Sequence, residues 1–280
     1  MNRIEKEILA LRKSVGIYLR YRKNPIEFSE HWMLEWKGKK YIEWYLNYRA
    51  KLKKFRNLYE GKDCFIIGNG PSLNKMDLER LNDFYTFGLN KIYLIFDRIK
   101  LDIDFLVAVN PFVIEQSIKE FSSLNIPKFL SYHAIKDPKS IDEHTYFLFT
   151  NSKLDFSENI LNPINEGYTV TYIALQLAYY MGFKNVFLIG VDHNYSQKGI
   201  PNEKQLLSGE DINHFDPNYF KGQEWQLADL EASEIAYTIA RFYYRRSNRL
   251  IYDATVNGKL NIFPKIDFHQ AIQMAQKKQI

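Results

Sequence analysis

Cys64-Phe65-Ile66-Ile67-Gly68-Asn69-Gly70-Pro71-Ser72 is the stretch on which the fold turns. Four apolar residues make a short strand buried on both faces, and two glycines let the backbone turn sharply and approach a ligand closely. Pro71 fixes the next turn, Ser72 offers a hydroxyl, and amides exposed in such a loop suit phosphate oxygens. The spacing is not a dinucleotide fingerprint, which needs a third glycine, nor a P-loop, which needs Gly-Lys-Ser/Thr. An ordinary strand-to-helix turn accounts for the loop equally well, so its meaning depends on what the chain brings beside it.

Further short apolar runs follow at 86–89, 105–109, 128–131, 146–149, 186–191 and 250–252, and helical spacing appears at 112–121, 171–181 and 228–245. This alternation predicts a Rossmann-like, mostly parallel α/β sheet with helices on both faces, spanning residues 61–280. Ligands of such sheets sit at the carboxyl ends of the strands. The residues there are Gly68-Asn69-Gly70, Asn90, Asn110 and Asp192-His193. Each asparagine alone reads as a turn residue, but three in the same position form a set able to hold ribose hydroxyls or phosphate oxygens.

Residues 1–60 read as a basic, aromatic-rich helical extension ahead of this domain. Residues 1–62 hold 16 Lys+Arg against 7 Asp+Glu, while the remainder holds 22 against 26, so the net charge of +5 comes from the N-terminal quarter. With Trp32, Trp36, Tyr41, Trp44 and Tyr45 in the same segment, this mixture suits peripheral contact with a membrane surface. A helical layer whose lysines are merely solvated explains it as well. No recognition motif points to nucleic acid. The single cysteine, Cys64, excludes an intrachain disulfide, and no signal peptide or membrane span is visible. These features place the chain in the cytoplasm, with the inner membrane face as a further expectation; self-association is left open.

Asp192-His193-Asn194-Tyr195 and His214-Phe215-Asp216-Pro217-Asn218-Tyr219 form a second polar group. A histidine is the usual general base near neutral pH, so His214 is the candidate base, with Asp192 orienting the site. Tyr195 and Tyr219 could support a departing phosphate by hydrogen bonds. Thr169 or Thr171 caps the helix that follows Gly167, and a helix N-terminus aimed at the strand ends could hold an anion. No compact ligand pair suggests a dedicated metal site.

Phe65-Ile66-Ile67-Gly68-Asn69-Gly70-Pro71-Ser72-Leu73 resembles the opening motif of small bacterial CMP-sugar-dependent sialyltransferases, and residues 178–192 resemble their second signature. The chain resembles more closely the proteins with a 6-hydroxymethylpterin diphosphokinase-like domain. That likeness adds the motifs at 86–93, 214–220 and 254–264 and covers roughly residues 63–268. The sialyltransferase resemblance implies a metal-independent, inverting transfer of an acidic sugar from a CMP-linked donor, with no cofactor, to a glycan or lipid-linked acceptor at the cell surface. Carried over by motif, Asn69, Ser72, Asn90 and Asn110 would hold the nucleotide, and Thr169 would lie at the acceptor-side helix start. The serine expected beside Thr169 is Val170 here. The pterin resemblance implies instead a pyrophosphokinase moving diphosphate from ATP, with Mg²⁺ placed by Asp192. A non-catalytic nucleotide-binding partner of a glycan assembly complex is the third expectation.

Overall fold

The structure is a computed structural model that describes residues 38–195 and 199–278. The chain divides into two compact units, residues 1–50 and 51–280. In the first unit, helix α1 (Lys39–Asn47) buries Tyr41, Ile42 and Trp44. Trp32, Trp36 and most of the basic arm lie outside the described residues. Among the described residues, no helix is long and apolar enough to cross a membrane.

The second unit is built on seven strands. These are β1 (Cys64–Ile67), β2 (Tyr85–Leu89), β3 (Phe105–Ala108), β4 (Lys128–Ser131), β5 (Thr145–Leu148), β8 (Asn185–Ile189) and β11 (Leu250–Asp253), in the order β11-β8-β1-β2-β3-β4-β5. Every pairing between them is parallel. Two short pieces, β6 (Thr150–Asn151) and β7 (Ile164–Asn165), form a separate ribbon, and β9 (Lys204–Leu206) pairs antiparallel with β10 (Glu224–Gln226).

The strands are apolar runs because both faces are covered. Side chains alternate across a strand, so Phe65 and Ile66 face opposite ways. On one face Phe65 stacks on Phe187, and Phe187 on Tyr252, across β1, β8 and β11. On the other, Phe87, Phe105, Phe129 and Tyr146 run ring to ring across β2 to β5. Helix α2 (Pro111–Ser123) follows β3, α3 (Val170–Met181) precedes β8, α4 (Leu230–Arg246) precedes β11, and α5 (Phe268–Met274) lies near the end of the chain. Residues Thr171 to Met181 of α3 are all buried, as its mostly apolar sequence requires, and the amide of its one glutamine, Gln176, donates to the Asn165 carbonyl at 2.7 Å.

Residues 51–62 belong to this unit. The amides of Asn57, Tyr59 and Gly61 donate to the carbonyls of Tyr180, Met181 and Gly182 at 3.0, 2.9 and 3.0 Å. The Tyr59 ring stacks on Phe183, with centroids 5.0 Å apart and planes 6° from parallel.

The strand order reverses at β1. From there the chain steps outward to β2, β3, β4 and β5, then returns to place β8 on the other side of β1. The carboxyl ends of β1 and β8 therefore open a crevice at the switch point, where open parallel sheets bind their ligands.

Candidate functional site

Two loops meet in that crevice. The Gly68 amide donates to the Ile189 carbonyl, and the Gly70 amide to the Gly190 carbonyl, both at 2.8 Å. A Cβ at Gly68 would lie 2.3 Å from the Gly190 oxygen, and one at Gly70 only 1.8 Å from Asp192 Oδ2. Backbone φ at Gly70 is an ordinary −70°, so the glycine is required for space. The space is taken by Asp192 rather than left for a phosphate, which corrects the sequence-based reason for Gly70.

Asp192 itself is committed. Its Oδ2 accepts from the Ser72 hydroxyl at 2.6 Å and its Oδ1 from the Ser72 amide at 3.1 Å. Burial raises its pKa, and the two bonds from Ser72 partly offset this. Ser72 thus ties the loop after β1 to the loop after β8 instead of facing a ligand.

Two adjoining cavities open beside these loops. The smaller, about 120 Å³, is lined by Gly68, Asn69, Gly70, Thr171, Asp192 and His193 among others. The larger, about 340 Å³, is lined by Asn110, Glu166, Phe220, Trp225 and Gln226 among others. Asn90, Thr169, Val170, Tyr195, His214 and Asp229 border both, so the two spaces share a wall.

His214 is the chemically prepared group in that wall. Its Nδ1 lies 2.8 Å from Asp211 Oδ2, and the two side chains are 9% and 2% exposed. With Asp211 accepting a hydrogen bond from Nδ1–H, Nε2 is left as the basic nitrogen of the ring. The ring stacks on Tyr219 with centroids 4.0 Å apart and planes within 4°. The surrounding loop is bolted to the glycine loop, because the Phe215 amide donates to the Asn69 carbonyl at 2.9 Å and Asn74 Nδ2 donates to the Phe215 carbonyl at 2.8 Å.

Behind it stands Lys91, buried at 2% exposure. Its Nζ donates to Gln116 Oε1 at 2.8 Å, to the Tyr219 carbonyl at 2.9 Å and to Gln223 Oε1, while its amide donates to the Tyr219 hydroxyl at 3.2 Å. Burial lowers the Lys91 pKa to about 8, against partial support from Asp211 and Glu120. Tyr219 is therefore a buried support for His214 and lines neither cavity, contrary to its expected role on a departing phosphate.

The asparagines separate into two kinds. Asn69 Oδ1 and Asn90 Oδ1 are buried and have no hydrogen-bond partner. Such atoms carry a desolvation cost unless a donor meets them, so both are free to accept from a hydroxyl or amino hydrogen entering the cavity. Asn110 is the N-cap of α2: its Oδ1 accepts from the Phe112 amide at 2.9 Å and its Nδ2 donates to Gln226 Oε1 at 3.0 Å. The turn-and-cap explanation holds there, and its amide is already spent.

Thr169 caps α3, with the Thr171 amide donating to its Oγ1 at 3.3 Å. The N-terminal end of α3 borders both cavities and its cap is uncharged, so the positive end of the helix dipole faces the shared wall without a carboxylate on it. The α4 N-terminus is closed by Asp229, which accepts from the Ala232 amide at 3.0 Å. Tyr195 borders both cavities with about a third of its surface exposed. Glu166, in the larger cavity, also has its pKa raised by burial, with a bond from Thr150 opposing.

Sequence reasoning missed Asp211, Glu166 and Trp225. Only Asp211 had a local signal, its position three residues before His214. Among the described residues, no Lys or Arg lines either cavity, and no group of three His, Cys, Asp or Glu is placed to hold a metal.

A seven-stranded parallel sheet with its crevice at the switch point defines an α/β fold of the kind that takes its ligands at the strand ends. The chain belongs to the MptE-like family, described as 6-hydroxymethylpterin diphosphokinase MptE-like, whose model matches residues 40–198. No curated relative matches the chain. Among solved structures it is similar to the MAf glycosyltransferase from Magnetospirillum magneticum AMB-1, at 15% identity and a TM-score of 0.49. The match covers 85% of this chain and 39% of that one, so the chain spans well under half of that protein's length.

Proposed function

We propose that this chain is a glycosyltransferase that moves an acidic sugar from a nucleotide-activated donor to a hydroxyl of a surface-glycan acceptor. The observation that carries the reading is His214, held by Asp211, in the wall shared by two cavities. A base at such a boundary reaches both a donor on one side and an acceptor hydroxyl on the other, as a two-substrate transfer needs. The donor belongs in the smaller cavity. There the unpaired Oδ1 atoms of Asn69 and Asn90 would accept hydrogens from ribose or base, and the α3 N-terminus would receive the phosphate. The acceptor belongs in the larger cavity, where Trp225 and Phe220 offer apolar ring surface and Glu166 a carboxyl suited to sugar hydroxyls. The CMP identity of the donor rests on the motif resemblance alone.

In the reaction, His214 Nε2 takes the acceptor proton as the acceptor oxygen bonds to the sugar carbon. The bond from that carbon to the phosphate oxygen breaks, and its electron pair leaves with the nucleotide. Asp211 holds the imidazolium that forms. His214→Asn should lower turnover by roughly 10²–10⁴-fold while the affinity for CMP stays within about twofold. Full activity in that variant would remove His214 from the mechanism.

The family description favours a second reading, pyrophosphoryl transfer from ATP, which calls for Mg²⁺. Both oxygens of Asp192 accept from Ser72, and Asp211 and Asp229 are likewise bonded to internal donors. These carboxylates do not make a metal cage. Thermal shifts with CMP or CTP against ATP plus Mg²⁺ separate the readings. ATP–Mg²⁺-dependent turnover that EDTA abolishes would establish the second, and nucleotide binding without turnover a non-catalytic role.

A further inference from the structure

The smaller cavity carries two imidazoles, and the reaction above uses one. His193 borders this cavity with its side chain 7% exposed. Its backbone is left-handed at φ 51°, and its Nε2 lies 2.9 Å from Glu234 Oε1 of α4. His214 is held through the opposite nitrogen, Nδ1, by Asp211. The two rings therefore leave different atoms for a ligand: Nε2 of His214 and Nδ1 of His193.

Charge makes the second ring matter. Asp192 and Asp229 line the smaller cavity, and among the described residues no lysine or arginine does. A nucleotide phosphate entering it meets carboxylates, a helix N-terminus and no permanently charged side-chain cation. With Nε2–H given to Glu234, Nδ1 of His193 donates only when the ring carries both protons. In that form it is a cation and a hydrogen-bond donor at once, the combination that stabilises a departing phosphate most strongly.

We propose that His193 is the leaving-group residue, with its imidazolium Nδ1–H hydrogen-bonded to the phosphate oxygen from which the sugar carbon departs. The inference rests on the glycosyl-transfer reading, in which His214 is the base. The balance is complete: the acceptor proton moves to His214, the electron pair of the breaking carbon–oxygen bond stays on the phosphate, and His193 shares its proton with that oxygen. Solvent resets both rings. The titratable groups around His193 are Glu234 of α4, bonded to it, Tyr237 of α4, with ring centroids 6.3 Å away, and Asp192, Tyr195, His214 and Asp229, which line the same cavity.

The test is calorimetric affinity for CMP at pH 6 and pH 8, in the wild-type chain and in His193→Gln, Glu234→Gln and His214→Gln. The wild type should bind roughly tenfold more weakly at pH 8 than at pH 6, because the bond to the phosphate needs the doubly protonated ring. His193→Gln should remove most of that difference and lower turnover by roughly 10²-fold, while His214→Gln keeps it. Glu234 is about half exposed, so Glu234→Gln tests the same partnership without disturbing the core, and should weaken binding several-fold at pH 7. A pH difference that survives in both His193→Gln and Glu234→Gln overturns the role of His193 and leaves the transferase reading standing. A wild-type chain that binds no CMP at either pH overturns both.

Discussion

Asn69 and Gly70 are neighbours in one loop with opposite duties, and their variants should fail differently. Asn69 Oδ1 is buried without a partner, whereas a Cβ at Gly70 would lie 1.8 Å from Asp192 Oδ2. Asn69→Ala should therefore keep the melting temperature within a few degrees and weaken nucleotide binding. Gly70→Val forces the two loops apart and should cost at least about 1–3 kcal/mol of stability before any ligand is added. Denaturant unfolding of both variants, alongside a nucleotide titration, checks the pair. A stable Gly70→Val with normal Ser72–Asp192 coupling would contradict the steric account. At this scale the sequence was readable in kind and not in detail. Asn69 and Asn90 stand at the cavity as expected, yet Asn110 had the same strand-end position and serves as a cap. Whether an asparagine caps or binds depends on what its amide meets in space. The Gln226 partner of Asn110 is 116 residues away.

Among elements, the segment from Asp211 to Gln226 leans on Lys91, whose Nζ donates to the Tyr219 carbonyl and Gln223 Oε1 within it and to Gln116 Oε1 of α2, and which is buried to do so. Its pKa is lowered from 10.5 to about 8, chiefly by burial. The unfolded chain keeps the ordinary value, so between about pH 8 and 10.5 it holds more proton than the folded one. Stability from this group therefore rises with pH across that window and is lost as pH falls through 8. Buried tyrosines with raised pKa values work in the opposite direction, so the gain is read as a difference: between pH 8 and pH 10 the wild type should gain on Lys91→Met by up to about 2 kcal/mol in urea unfolding, after allowing for solvent screening. An equal pH response in both would remove Lys91 as its source. All seven strands of the sheet were legible, because buried runs such as Cys64–Ile67 have no other stable use. The short pairs β6–β7 and β9–β10 were not, since two- and three-residue strands carry no periodicity. Helix α5 also went unread, although Asp267 and Gln270 form its capping box.

For the molecule as a whole, residues 51–62 set where the α/β unit can be cut. They bond to Tyr180, Met181 and Gly182, and a Cβ at Gly182 would stand 2.8 Å from Glu60 Cα. A chain starting at Lys51 should melt cooperatively. One starting at Asp63 should lose several degrees, because Tyr59 no longer covers Phe183 and Tyr85. Equal melting temperatures would show these contacts to be dispensable.

The return of the chain to β8 has a further consequence in the order of synthesis. Strands β1 to β5 can pair as they are made, but the other edge of β1 stays bare until residues 185–189 arrive. That edge, Cys64–Ile67, is a fully apolar strand, the kind that recruits other chains when uncovered. The Ser72–Asp192 bonds span 120 residues and the Asn74–Phe215 bond spans 141. A ribosome-bound chain thus acquires this crevice late, and the bonds that assemble it secure the edge the early sheet leaves open.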